Sequence, residues 1–223
     1  MDQGMLPPGQ RLAKGWPVSH YGPVPRFRPE RWSLQVFGAT ESGEKHSWAF
    51  DDLADMPRVT VVADLHCATG TSTLGHEFFG VPATALLDLA PPAVDVSHVM
   101  AWAEYGYSAN LRLSDFTADS TVLATHHNGE PLTAEHGFPL RLVVPHLFGY
   151  KGPKWVRGIE YMTADRRGFW EERGYHNVGD PWTRAALLLP GGRRPVTAGP
   201  QPAFLPETKP RVTCVPDPSF WAW

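Results

Sequence analysis

The sequence predicts a β-rich α+β chain, and three observations carry that expectation. Proline and glycine are abundant, 23 and 21 of 223 residues, which favours short strands and many turns over helical bundles. The apolar runs are short and β-branched, the clearest being Leu140-Arg141-Leu142-Val143-Val144 between Pro139 and Pro145. Helical signals are brief, confined to Phe50 to Leu53 and to the stretch after Ser114-Asp115.

Taken in order, Met1 to Pro29 is rich in Pro and Gly and reads as an irregular arm. Trp32, Leu34 and Val36 alternate with polar residues up to Gly38, as a half-buried strand requires. Phe50 to Leu53 suggests a short helix ending before Pro57. Val59 to Ala63 reads as a buried strand that stops just before His66-Cys67, with a loop from there to Phe79. Ser114-Asp115 is expected to cap a short helix that turns Phe116 inward. Val122 to His127 reads as a strand. Neighbours on a strand do not readily ligate one metal, so His126 and His127 are assigned to the surface or to supporting a turn. Asn128-Gly129 is a turn signal, both residues tolerating positive φ. The run Leu140 to Val144, a loop over Gly149 to Lys154, and a strand from Trp155 to Met162 follow.

Charge and composition narrow the function. Twenty Lys and Arg against 23 Asp and Glu give −3, which offers no electrostatic footprint for nucleic acid. No apolar run approaches a membrane span, and no charged-then-apolar leader or twin-arginine export signal is seen, so a cytoplasmic location is expected. Cys67 and Cys214 are far apart in sequence and make no disulfide framework or zinc spacing.

Two stretches carry chemistry. Arg141 is an anomaly inside a buried strand, and His136, Lys151 and Lys154 flank it. Guanidinium, imidazole and ammonium groups on such a base favour an anion, most simply a phosphate. The competing reading pairs Arg141 with a buried carboxylate and leaves the lysines solvated. Cys67 has three readings: a small buried hydrophobe, a nucleophilic thiolate, or a soft metal ligand. His66 is poorly placed to activate it, because adjacent strand residues face opposite ways.

These stretches resemble the molybdopterin-binding core of the sulfite oxidase family. The pattern N-G-x-P-L, then H-G-x-P-x-R-x-V-V-P, then a K-x-x-K-W loop stands here as Asn128 to Leu132, His136 to Pro145 and Lys151 to Trp155. The likeness continues through Phe79-Gly80-Val81-Pro82 into a helix at Ala85, and through Gly168 to Trp182. It implies the family's β-rich α+β fold, with mixed sheets and flanking helices. It spans Trp16 to about Trp182, giving one cofactor domain over 1–184 and a Pro/Gly-rich, extended or disordered tail over 185–223. It implies a molybdenum–molybdopterin cofactor with Cys67 as the metal ligand. His20, Tyr21, His66, Asn110, His136, Arg141, Lys151 and Lys154 would bind the cofactor, and Tyr175 would stand on the substrate side. The implied activity is oxygen-atom transfer on a small molecule, with electrons exchanged with a separate partner. A reductase of S-oxides and a relative that has lost catalysis are the alternatives. Two departures bear on the substrate. Ser19 falls where the sulfite-oxidising branch carries an Arg, and Thr69-Gly70-Thr71-Ser72 lacks a bulky residue that relatives place after the Cys.

Overall fold

The computed structural model describes residues 6–183. In chain order the strands are β1 (Arg11–Leu12), β2 (Ser33–Gly38), β3 (His46–Ala49), β4 (Val59–Cys67), β5 (Thr71–Pro82) and β6 (His98–Ala103). They continue as β7 (Ser108–Arg112), β8 (Val122–His127), β9 (Glu130–Pro131), β10 (Arg141–Val143) and β11 (Val156–Met162). Two short helices, α1 (Ala85–Leu89) and α2 (Leu113–Phe116), lie between them. The strands form two mixed sheets. One runs β1-β5-β8-β10, with β4 beside β5 and β9 beside β8; the other runs β3-β2-β11-β6-β7. The β1–β5 and β2–β11 pairs are parallel and the remaining pairs antiparallel.

The two-residue period of a strand decides which side chains meet. Leu34 and Val36 of β2 and Ile159 of β11 join Leu123 of β8 and Leu140, Leu142 and Val144 of the β10 segment in the main core. Val143 instead joins Val61, Ala63, Phe78 and Ala124 in a second apolar cluster, on the other face of the first sheet. Arg141 shares the parity of Val143. The charged residue in the apolar run is thus turned out of the main core and onto this second face.

Strand β5 crosses β8 at a close approach that only glycine permits. A Cβ on Gly80 would lie 2.1 Å from the Leu123 carbonyl oxygen and 2.7 Å from the Ala124 Cα, both backbone atoms that cannot swing aside. Gly80→Ala is therefore expected to lower stability by about 1–3 kcal/mol. Urea denaturation would show this as a lower midpoint at unchanged slope, and a midpoint equal to wild type would contradict it.

Several elements depart from the sequence expectation. Residues 71–82, read as a loop up to Phe79, form the longest strand of the described chain. Its buried positions include Ser72, Thr73 and His76, so apolar periodicity could not reveal it. Strand β4 runs on through His66 and Cys67, with a register irregularity between Ala63 and Leu65. The helix expected at Phe50 is a 3-10 turn over Asp51–Asp55. Asp115 lies within α2 and does not cap it: its carboxylate accepts from Arg112 Nε at 2.7 Å and faces His146 Nε2 at 3.2 Å. Phe116 is fully buried, as expected. The Asn128-Gly129 turn is present, with φ of 49° and 82°. The tail over 185–223, with Cys214, lies outside the described residues.

Candidate functional site

Cys67 ends β4 as a free, half-buried thiol. The chain then reverses into β5, and the Gly70 amide donates to the Cys67 carbonyl at 3.0 Å. The Thr69 hydroxyl donates to the Cys67 Sγ at 3.0 Å, and Gln10 Nε2 donates to the Cys67 carbonyl at 3.1 Å. The thiol therefore sits in a polar turn at the edge of the sheet and outside the apolar core. His66 faces the other way, buried, with its Nδ1 2.8 Å from the Ser72 hydroxyl. Burial lowers the His66 pKa and keeps the ring neutral. A backbone bridge from His66 to Phe148 brings the 3-10 turn Gly149–Lys151 against the end of β4.

Aromatic residues connect Cys67 to Arg141. Tyr175 packs against Tyr150, with centroids 5.1 Å apart, and against Trp170 at 5.0 Å. Burial raises the Tyr175 pKa, and the charge of Cys67 raises it further, so the phenol lies in the field of the thiol and keeps its proton. Tyr107 is half-buried, donates to the Tyr150 carbonyl at 2.7 Å, and feels the charges of both Arg141 and Tyr175.

Arg141 is 7 % exposed, and its Nε is buried without a hydrogen-bond partner. Nη1 donates to the His136 carbonyl at 3.1 Å, and the guanidinium lies 5.1 Å from the Trp16 ring centre. Among the described residues no carboxylate is within ion-pair distance of it. Burial lowers its pKa to about 10, so it remains charged at neutral pH. The His136 ring stacks on Trp16 at 3.9 Å. Lys154 bridges Arg141 through the backbone, and its Nζ donates to the Ser19 and Glu135 carbonyls, each at 2.7 Å. This convergence depends on Gly137 at φ 119°, where a Cβ would meet the Arg141 Cβ at 3.0 Å and the Lys154 Cβ at 3.3 Å.

Burial, followed by the Arg141 charge, lowers the Lys154 pKa from 10.5 to about 7. Between those values the unfolded chain holds a proton that the folded chain has lost. This group's effect on stability therefore improves as pH rises from about 7 towards 10.5. An anion at the site favours the charged lysine, so binding of sulfate, whose charge is constant here, is expected to tighten as pH falls through about 7. Calorimetry in buffers of different ionisation enthalpy would detect the proton uptake. The pH dependence should flatten in Lys154→Met; pH-independent binding by wild type would contradict the assignment.

The remaining candidates divide into two groups. Lys151 and Asn110 are joined to each other: the Lys151 Nζ donates to the Asn110 carbonyl at 2.8 Å and to its Oδ1 at 2.9 Å. Lys151 also forms a buried ion pair with Glu171, which the sequence reading had missed. Asn110 Nδ2 reaches Asp165 Oδ1 at 2.7 Å and Asn177 Oδ1 at 3.0 Å. This network braces β7 against the Gly149–Lys151 turn. His20 and Tyr21 belong to the arm crossing the site. His20 lies edge-on to Trp155 at 5.4 Å, and Tyr21 packs on Phe169 at 4.4 Å.

A histidine pair was also missed. His76 of β5 and His127 of β8 approach at 2.8 Å, Nδ1 to Nε2, beside Trp16. His127 is half-buried within this cluster, which corrects its assignment to the surface or to turn support. The His76 Nε2 is buried without a partner, and burial lowers its pKa to about 4. Recognition of β5 as a strand would have exposed it, since His76 has the parity of Phe78.

The sequence pattern of the oxidoreductase molybdopterin binding domain matches residues 21–170, a span that holds Cys67, His76, His136, Arg141 and Lys154. The chain belongs to this family. It is 43% identical over 180 residues to the uncharacterized oxidoreductase YuiH of Bacillus subtilis, covering 80% of this chain and 90% of the relative. It is 28% identical over 181 residues to mitochondrial sulfite oxidase of Homo sapiens, covering 69% of this chain and 33% of the relative. The crystal structure of the sulfane dehydrogenase SoxCD from Paracoccus pantotrophus matches with a TM-score of 0.56 at 26% identity, over 63% of this chain and 40% of that one. The mixed two-sheet architecture is that of the sulfite oxidase-type molybdopterin-binding fold. The chain is a molybdopterin-dependent oxidoreductase, and its cofactor is molybdenum–molybdopterin. The residues fit that group: a buried Arg141 donor and a buried His76 ring nitrogen have no partner among the described residues, and the Cys67 thiol is accessible in a polar turn. No helix of the described residues is long and apolar enough to cross a membrane.

Proposed function

We propose that this oxidoreductase transfers an oxygen atom to or from a small molecule at a centre held between Cys67 and Arg141. The carrying observation is that a buried, charged Arg141, without a carboxylate partner among the described residues, is linked to Cys67 by the Tyr107–Tyr150–Tyr175 wall. Cys67 would ligate the metal, since a soft thiolate suits a redox metal. Arg141, His136 and Lys154 would hold the pterin's anionic end, with the His76 ring beside them. His66, fixed by Ser72, would keep the end of β4 and its thiol in position. His20 and Tyr21 would cover the cofactor from the arm, while Lys151 and Asn110 would support the turn beneath it. When bound, the molybdenum cofactor supplies two-electron oxygen-atom exchange. Tyr175, kept protonated by burial, would donate a hydrogen bond to the substrate oxygen. Electrons would be exchanged with a separate redox partner.

Two substrate classes fit this centre, sulfite-like oxyanions and neutral S- or N-oxides. Ser19 favours the second. It stands where the sulfite-oxidising branch carries an Arg, and its carbonyl is engaged by Lys154. A doubly charged oxyanion loses a charge-assisted contact there. Metal-loaded protein assayed with dye donors and acceptors should turn over dimethyl sulfoxide or trimethylamine N-oxide faster than sulfite. Inactivity on the whole panel would contradict oxygen-atom transfer and leave a cofactor-binding protein with altered catalysis.

A further inference from the structure

A cleft of about 300 Å³ opens between the arm and the wall made by Phe138, Pro139 and Trp155. Neither Cys67 nor Tyr175 lines it, so it is separate from the centre described above. Arg26, Arg28, Arg31 and Arg157 surround it, with Glu104 as its one acidic residue. Glu104 is taken up by Arg157, at 2.6 Å, and Arg157 also donates to the Ser33 and Arg31 carbonyls at 3.1 Å each. Arg26, Arg28 and Arg31 are exposed, and no carboxylate of the described residues is within ion-pair distance of them. The cleft is therefore lined by positive charge that the described residues do not neutralise.

Its floor is aromatic. Phe27 packs edge-to-face on Phe138 at 5.0 Å, and Trp32 and Trp155 complete the surface. The indole N–H of Trp155 donates to the Ala134 carbonyl at 2.7 Å. Trp32 differs: it is 5 % exposed, and its Nε1 is buried with no partner. A buried indole donor normally finds an acceptor.

We propose that this cleft is a second binding site, for a small organic carboxylate carrying one aromatic ring. The arginine forks match a carboxylate in geometry and charge, and the aromatic floor takes the ring. An inorganic anion would leave that floor unused, and a cation would be repelled. A volume of about 300 Å³ lies at the small end of ligand pockets and accommodates a one-ring carboxylate.

The test uses the cofactor-loaded full chain and 3-phenylpropionate as the probe, followed by calorimetry. Saturable binding is expected with Kd of about 1 mM or tighter. Affinity for 3-phenylpropanol, which keeps the ring without the charge, should be at least about tenfold weaker, and so should affinity for sulfate. The double substitution Arg26→Gln with Arg28→Gln should weaken probe binding by about tenfold, with molybdenum content and melting temperature unchanged. Equal affinity for the alcohol would reduce the cleft to an apolar surface, and equal affinity for sulfate would reduce it to a simple anion patch. Either result, unaltered binding in the double variant, or the absence of saturable binding would overturn the proposal. Because binding is read directly, failure here leaves the oxygen-transfer reading untouched, and failure of the substrate panel leaves this one standing.

Discussion

Cys67→Ser is expected to lower dye-linked turnover by about a thousandfold or more, a loss of roughly 4 kcal/mol in transition-state stabilisation. Molybdenum content should fall with it, while the fold persists. The thiol is half-buried and contacts a hydroxyl, so a serine is tolerated sterically there. The stability change is expected within about 0.5 kcal/mol, as for substitutions away from the core. What changes is the donor atom, from a soft, readily ionised sulfur to a hard hydroxyl. Steady-state turnover together with metal analysis measures this. A serine variant that retains wild-type turnover per molybdenum would remove Cys67 from the metal.

Arg141→Met should separate folding from cofactor binding, with effects of opposite sign. The guanidinium is buried and charged, and no carboxylate of the described residues pairs with it. A buried cation without a counter-charge is a cost to the empty fold, so a methionine of similar length should stabilise apoprotein by about 1–4 kcal/mol. The same change removes charge-assisted hydrogen bonds to the pterin's anionic end, worth about 1.5–3 kcal/mol each, or roughly 10- to 100-fold in affinity. Pterin released on denaturation should fall accordingly. The rise in melting temperature that cofactor gives wild type should shrink in the variant. If apo Arg141→Met unfolds more easily than apo wild type, or retains full pterin, Arg141 is structural.

The parts of the fold legible in the sequence were the alternating strand β2 and the short apolar runs of β8, β10 and β11. Val122 to His127 has the same bounds in the structure, and β2, β10 and β11 differ by a residue or two at their ends. Strand β5 was hidden because most of its buried side chains are polar, Ser72 being held by a partner far off in sequence, Gln10. That omission concealed His76 and misassigned His127. Arg141 was legible as a chemical anomaly inside an apolar run, but its lack of a carboxylate partner could emerge only from the tertiary arrangement. Glu171 as the partner of Lys151, and Gly137 as the condition for bringing His136, Arg141 and Lys154 together, are likewise contacts between distant segments. Local pattern does not encode them.

The claim that Cys67 grips the molybdenum is tested most directly by X-ray absorption at the molybdenum edge, on wild type and on cofactor-loaded Cys67→Ser. The account predicts one fewer sulfur neighbour around the metal in the serine protein. Identical sulfur counts in the two would contradict it.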